Sequence, residues 1–198
     1  MYKWPQREDV MSRRSPEQPD PVVDRRVVFE GRLIRVEVRT LAGENGLFFR
    51  REVVLHPGAA AVLTEQPDGT FLWVRQYREA VGEPLLEVPA GTLEEGEDPA
   101  ECACREVEEE TGRRVAVLKP LGAIWASPGF VRERIHLFYA RLDDRLADAV
   151  SDPDERIETV ALSPEAIEQR IAEGTIADGK SLACWLRYRL LRARGWPG

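Results

Sequence analysis

Between Glu94 and Glu110 the chain places nine acidic side chains and a single arginine in seventeen residues, and the stretch closes on Arg105-Glu106-Val107-Glu108-Glu109-Glu110-Thr111-Gly112. Asp98-Pro99 followed by Glu101 has the pattern of an N-cap, a first-turn proline and a capping-box glutamate, and Gly112 stands where a helix would stop. On a helix from Pro99 to Thr111, residues Ala100, Ala103, Cys104 and Val107 recur at i, i+3, i+4 and i+7, a narrow apolar stripe that must face a sheet. Glu106, Glu109 and Glu110 then gather on another face. Each like-charge pair at these spacings costs an isolated helix about 0.2–0.5 kcal/mol. Arg105 can pair with Glu101 and Glu109 but cannot neutralise the set. Two readings follow: a solvated acidic face, or a site where oxygen ligands hold a hard divalent cation, Mg²⁺ or Mn²⁺, together with substrate phosphates. Two or more ions bridged by such carboxylates would suit a pyrophosphate.

The bulk of the chain narrows the choice. With 198 residues, 43% hydrophobic and 32% charged, it reads as a soluble globular protein of one domain or two small ones. A net charge of −7 argues against nucleic acid or an anionic membrane as partner, while leaving small phosphate ligands open wherever a local cation inverts the field. No apolar run approaches the roughly 18 residues that span a bilayer, and the N-terminus lacks the apolar stretch of a signal peptide. Cys102, Cys104 and Cys184 are odd in number and without CxxC spacing, which speaks against a disulfide framework or a zinc knuckle and for the cytoplasm.

Residues 1–20, rich in Pro, Gln, Arg, Glu and Asp, read as a flexible tail with Trp4 as its one anchor, followed by a single domain from 21 to 198. Val27-Val28-Phe29 and Leu33 to Val38 flank Glu30-Gly31 as a hairpin, and residues 21–48 form the N-terminal part of that domain. Strands are expected at Arg51–Leu55, Ala59–Thr64, Phe71–Tyr77, Leu85–Val88, Val115–Ala126, Glu133–Leu142 and Ile157–Leu162. Ser163-Pro164 caps a short helix ending near Gly174. A last helix from about Lys180 to Arg194 carries Leu182, Trp185, Leu186 and Leu190 inward. Strands that precede and surround a few helices give an α/β (α+β) sandwich with a mixed sheet.

The spacing Gly91, Glu97, Arg105-Glu106-Val107, Glu109-Glu110, Gly112 resembles the Nudix box of the Nudix hydrolases, a loop-helix-loop of 23 residues. One slot departs: the usually aliphatic last position is Arg113, and Val115 is placed to supply the apolar contact. The likeness continues in His56-Pro57-Gly58-Ala59, Val74-Arg75-Gln76-Tyr77-Arg78, Leu86-Glu87-Val88-Pro89-Ala90-Gly91 and Ser127-Pro128-Gly129-Phe130. Pro128 falls sixteen residues after Gly112, where the ADP-ribose pyrophosphatase branch carries its distinguishing proline.

The resemblance implies a Nudix-type α/β/α sandwich with N-terminal antiparallel strands, and it implies roles. Glu106 and Glu110 are the principal metal ligands, with Glu109 and the Ala90 carbonyl completing the shell for two or more ions; Arg105 orients the carboxylates and Glu97 braces the loop. Arg78 and Glu87 contact the diphosphate and terminal ribose, Ser127, Pro128 and Gly129 line the substrate, and one of Arg50 and Arg51, here assigned to Arg51, reaches the nucleotide. The base is a glutamate in the loop Asp152-Pro153-Asp154-Glu155, with Glu155 chosen and Asp152 and Asp154 as substitutes; the other reading of that loop is a surface turn. Homodimers whose N-terminal strands cross to the neighbour are implied as well.

His56 is expected to shape its turn and His136 to pack within a strand, while Cys104 belongs to the buried stripe. Most tryptophans are packing residues, but Trp125 or Phe29 could stack on a base. The expected reaction is hydrolysis of ADP-ribose to AMP and ribose 5-phosphate. The alternatives are another nucleoside diphosphate sugar, such as GDP-mannose, and a binding module that senses such a nucleotide without cutting it, against which the intact box glutamates weigh.

Overall fold

The computed structural model describes residues 19–147 and 156–196; the expected tail with Trp4 and the loop carrying Asp152, Asp154 and Glu155 lie outside them. The chain forms two compact units, one ending at Leu55 and the other beginning at His56. In the first, β1 (Val22–Glu30), β2 (Arg35–Ala42) and β3 (Phe48–Leu55) pair antiparallel in that order. The expected hairpin is present but its turn lies later, at Gly31–Ile34, closed by Gly31 N–H donating to Ile34 O at 2.9 Å. Leu33 and Ile34 therefore belong to the turn and not to the strand. Every residue of β1 is exposed, Val27, Val28 and Phe29 among them.

The second unit is built on β4 (Ala59–Glu65), β5 (Phe71–Arg78), β6 (Glu83–Glu87), β7 (Ala90–Thr92), α1 (Pro99–Thr111), β8 (Arg113–Trp125), β9 (Val131–Arg132), β10 (Arg134–Leu146), β11 (Ile157–Leu162), α2 (Pro164–Ala172) and α3 (Gly179–Ala193). Its sheet runs β11-β5-β4-β10-β8. Only β4 and β10 are parallel, with Ile135 opposite Ala59 through Arg141 opposite Glu65; the sheet is mixed, as expected. The unbroken apolar run Ala59–Leu63 is what a strand covered on both faces requires. Its alternate residues serve two cores: Ala60 and Val62 meet Cys102, Ala103 and Val107 of α1, whereas Ala61 and Leu63 meet Ile167 of α2 and Cys184, Trp185 and Tyr188 of α3. A helix layer on each side of one sheet is the α/β/α sandwich.

Two helix faces differ from expectation. On α1 the fully buried thiol is Cys102, and Cys104 is only half-buried. On α3 the inner positions are Ser181, Cys184, Trp185 and Tyr188, while Leu186 and Leu190 are more than half exposed, at 58% and 52%. Val115, two residues after Arg113, packs against the α1 core as expected.

One feature of the sheet opens the site. β4 and β5 pair with each other only at Thr64 opposite Leu72 and Glu65 opposite Phe71. Beyond that point they fork: the rest of β5 takes β6 as neighbour, with Val74 opposite Glu87, and the rest of β4 takes β7, with Ala61 opposite Ala90. Val88 and Pro89 cross the fork, and Val62 N–H donates to Pro89 O at 2.9 Å. The same short run of chain thus delivers Glu87 on one prong and Ala90-Gly91 on the other.

Candidate active site

Helix α1 is held where its sequence says it should be. Asp98 caps it, its carboxylate accepting from Ala100 N–H at 2.8 Å. Gly112 ends it in the left-handed region at φ 65°, donating to Glu108 O. The helix leans on β7 at close range: a Cβ on Gly91 would sit 1.8 Å from Glu106 Oε1, so only glycine leaves that carboxylate its place. One turn on, Glu110 Oε2 accepts from Ala90 N–H at 3.2 Å. The carboxylates of Glu106 and Glu110 therefore both reach the Ala90-Gly91 segment.

Arg105 ties the box together. Its Nε and Nη2 donate to Glu97 at 2.9 and 3.1 Å, and its Nη1 donates to Glu106 at 2.7 Å and Glu109 at 3.1 Å. Glu97 also accepts from Glu94 N–H at 2.8 Å. Charge-assisted bonds of this kind stabilise the ionised carboxylate. The Arg105 hydrogen bonds accordingly hold Glu97 far below the usual carboxylate range, to about 2 despite some burial, and the Glu97 bond raises Arg105 in turn. Glu101, an expected partner of Arg105, is not among its contacts. Beneath the guanidinium lies Cys102, pushed up to about 12, first by burial and then by the charges of Glu97 and Glu106.

Among the described residues no three His, Cys, Asp or Glu side chains are already gathered as a ligand set; the arginine draws Glu106 and Glu109 instead. The donors that could be offered are carboxylate oxygens beside the backbone of residues 90–92, and the Gly91 cradle brings the Glu106 oxygens against that backbone. An all-oxygen set of this kind fits Mg²⁺ or Mn²⁺ and does not fit soft metals.

On the other prong, Glu87 is 1% exposed. Arg78 grips it with two parallel bonds, Nε to Oε1 at 2.9 Å and Nη2 to Oε2 at 2.8 Å. Lys180 Nζ donates to the same Oε2 and pairs with Asp178 Oδ1 at 3.1 Å. Burial alone would raise the Glu87 pKa; the Arg78 hydrogen bonds and the Lys180 charge outweigh it and the net shift is downward. Asp178 is also the N-cap of α3, its Oδ2 accepting from Ser181 N–H at 2.9 Å. Ser181 Oγ accepts from Val88 N–H at 2.9 Å. Asp178, Lys180 and Ser181 went unrecognised from the sequence, although an aspartate just ahead of a helical segment is a legible N-cap signal.

A cavity of about 650 Å³ joins these parts, lined by Arg78, Lys180, Asp178, Ala90, Gly91 and Thr92 and closed by Ile124, Trp125, His56 and Glu133. Trp125 is 54% exposed. Its course is set from behind. Gly122 adopts φ 108° at a bulge in β8, and Arg187 of α3 donates to the carbonyls on either side, Leu121 at 2.8 Å and Ala123 at 3.0 Å. Gly58 N–H donates to His56 Nδ1 at 3.1 Å, so His56 does shape its turn. His136 lies within β10, its pKa lowered first by burial. Ser127, Pro128 and Gly129 form the turn after Trp125, closed by Val131 N–H to Ser127 O at 2.9 Å; they do not line the cavity themselves. Arg51 stands exposed on β3 of the first unit, donating to Arg50 O and lying over the Phe49 ring at 5.8 Å.

The NUDIX domain family model matches residues 54–183. The chain is 38% identical over 156 residues to the methanol dehydrogenase activator of Bacillus methanolicus, covering 78% of this chain and 84% of that protein. It is 36% identical over 155 residues to the ADP-ribose pyrophosphatase of Bacillus subtilis, with the same two coverages. With the GDP-mannose pyrophosphatase of Yersinia enterocolitica it shares 40% over 133 residues, 63% of this chain and 69% of that one. The fold is that of a solved ADP compounds hydrolase, at a TM-score of 0.77 over 90% of this chain and 97% of the other, with 20% identity. The box residues meeting around Arg105, the α/β/α sandwich that carries them and the span of the match lead to one conclusion: this chain belongs to the Nudix family.

Proposed function

We propose that the protein is a metal-dependent pyrophosphohydrolase that cleaves the diphosphate of ADP-ribose to AMP and ribose 5-phosphate. The observation that carries this reading is the single cavity in which the Arg78 guanidinium and the Ala90-Gly91-Thr92 strand face common space. A diphosphate laid there has a cation on one side and, on the other, the strand against whose backbone the Glu106 and Glu110 carboxylates lie. Relatives named as ADP-ribose pyrophosphatases, in Bacillus subtilis and, at 31% identity, in Haemophilus influenzae, favour the adenine nucleotide sugar.

Glu106, Glu110, Glu109 and the Ala90 carbonyl would hold the metal, Mg²⁺ or Mn²⁺, as two or more ions per site. When bound, such ions neutralise the diphosphate and lower the pKa of the attacking water. The protein's own contribution is positioning. Arg78 binds diphosphate oxygens from its bidentate seat on Glu87, and Trp125, which the Ser127-Pro128-Gly129 turn follows, lines the same cavity. Arg105 presents Glu106 and Glu109 in fixed orientations, and Glu97 anchors Arg105. Water attacks phosphorus, its proton passes to a carboxylate of the Asp152–Glu155 loop, with Glu155 as first choice, and the P–O bond to the other phosphate breaks.

The GDP-mannose pyrophosphatases among the relatives favour a second reading, the same chemistry on a guanine sugar. Turnover of ADP-ribose, GDP-mannose and other nucleoside diphosphate sugars with Mg²⁺ decides between them; faster hydrolysis of the guanine sugar removes the first. Glu106→Gln should lower kcat by about 100-fold or more with the unfolding curve unchanged, and an equally active variant would remove Glu106 from the metal-holding set; binding of a nucleotide sugar by the wild type without turnover would leave only nucleotide sensing. A homodimer accords with the uniform exposure of β1 and its apolar residues. Three free cysteines accord with the cytoplasm.

A further inference from the structure

Three charges, Arg78, Lys180 and Asp178, line one wall of the cavity, and with the buried Glu87 behind them they form a chain of alternating sign. Their burial is unequal. The Glu87 side chain is 1% exposed and Lys180 13%, whereas Arg78 retains 35%. Arg78 spends its Nε–H and one Nη2–H on Glu87, and a guanidinium has five N–H donors, so the rest of the fork is available to an anion. Had Glu87 only this one cation, any anion drawing on Arg78 would compete with a buried carboxylate that cannot be left unpaired.

We infer that Lys180 is a positioning residue that holds the buried Glu87 carboxylate so that Arg78 can be shared with the diphosphate of the substrate. This rests on the proposed pyrophosphohydrolase reading. The surrounding bonds index the lysine to its partner. Ser181, the next residue, accepts from Val88 N–H, and Val88 is the residue after Glu87. Asp178 both caps α3 and holds the ammonium from its far side. The first turn of α3 is thereby pinned to the end of β6 at neighbouring positions in both segments. Lys180 then stays on Glu87 Oε2 while Arg78 turns part of its fork to the ligand.

The test separates a lysine that acts through Glu87 from one that touches the ligand itself. Lys180→Met and Lys180→Arg are made in the wild-type and in the Glu87→Gln background, where the carboxylate no longer needs a counter-charge. Two quantities are read: kcat and KM for ADP-ribose with Mg²⁺, and the Kd of inorganic pyrophosphate by calorimetry. With Glu87 present, Lys180→Met should raise KM and the pyrophosphate Kd by about tenfold with kcat nearly unchanged, and Lys180→Arg should recover most of the loss; in Glu87→Gln the same change should have an effect of about twofold or less. An unaltered Lys180→Met, or an equal loss in both backgrounds, overturns the inference. Should no nucleoside diphosphate sugar be hydrolysed while the pyrophosphate pattern holds, the functional reading falls and the role of Lys180 stands.

Discussion

At Gly91 one absent carbon atom decides where a carboxylate can lie. Because a Cβ there would come within 1.8 Å of Glu106 Oε1, Gly91→Ala must displace Glu106 or β7. Misplacing a reacting group by about 1 Å commonly costs about 100-fold in rate, and a loss of that order in kcat/KM, with an unfolding midpoint close to wild type, is expected. Glu97 sets a second expectation. Its pKa is lowered from 4.5 to about 2 by Arg105, so the folded state binds the Glu97 proton less readily than the unfolded chain. The bond's contribution to stability is complete above about pH 5 and is lost as pH falls toward about 2. In urea titrations across that window, Glu97→Gln should show a shallower acid loss than wild type. Both residues were legible as glycine and glutamate slots at fixed spacing. What each one touches was not, since contact between Gly91 and Glu106 joins a strand to a helix.

At the scale of the element, α1 is the most legible part of the chain because its ends are written locally. Asp98, Pro99 and Gly112 occupy the roles their chemistry predicts. Asp98→Ala should cost about 1 kcal/mol, and Gly112→Ala, at φ 65°, about 1 kcal/mol or more, each measured as a shift in urea midpoint at constant slope. Helix α3 shows the opposite case. Trp185 is buried and Leu182 packs on the core as expected, but the places expected of Leu186 and Leu190 go to Ser181, Cys184 and Tyr188. The two stripes lie side by side at a period of 3.6, and hydropathy alone prefers Leu186 and Leu190. The buried face instead takes hydroxyls whose partners lie far away in sequence: Ser181 with Val88, and Tyr188 donating to Glu65 at 3.2 Å beside Tyr139 at 2.7 Å. Stacking of Tyr139 on Tyr188 and the edge of Phe71 on Trp185, each with centroids 5.3 Å apart, completes that face. The buried thiol of α1 is Cys102 rather than the expected Cys104 for a similar reason: Cys102 Sγ lies against the carbonyls of Gly91 and Thr92, at 3.8 and 3.7 Å.

For the whole molecule, a sandwich with a mixed sheet followed from strand and helix patterns, and its α/β/α layering, like the family, from the resemblance of one motif and its flanks. Lys180 escaped notice because its importance depends on Glu87, a residue 93 positions away in the chain. Assembly is the property that belongs to this scale. With each residue of β1 exposed and Val27 at 47%, sedimentation equilibrium should return twice the chain mass of 22.4 kDa, and Val27→Asp should shift the population toward monomer at micromolar concentration. A wild-type monomer would remove the dimer.

The fork between β4 and β5 has a consequence for how such a site can change. Glu87 and Ala90 are separated by two residues, Val88 and Pro89, which span the gap between prongs. An inserted residue there would turn every later side chain of β7 to the opposite face and part the Arg78 wall from the carboxylates. The turn at Pro67-Asp68-Gly69, beyond the closed end of the same fork, bears no such constraint. Length is tolerated at the handle and forbidden between the tines.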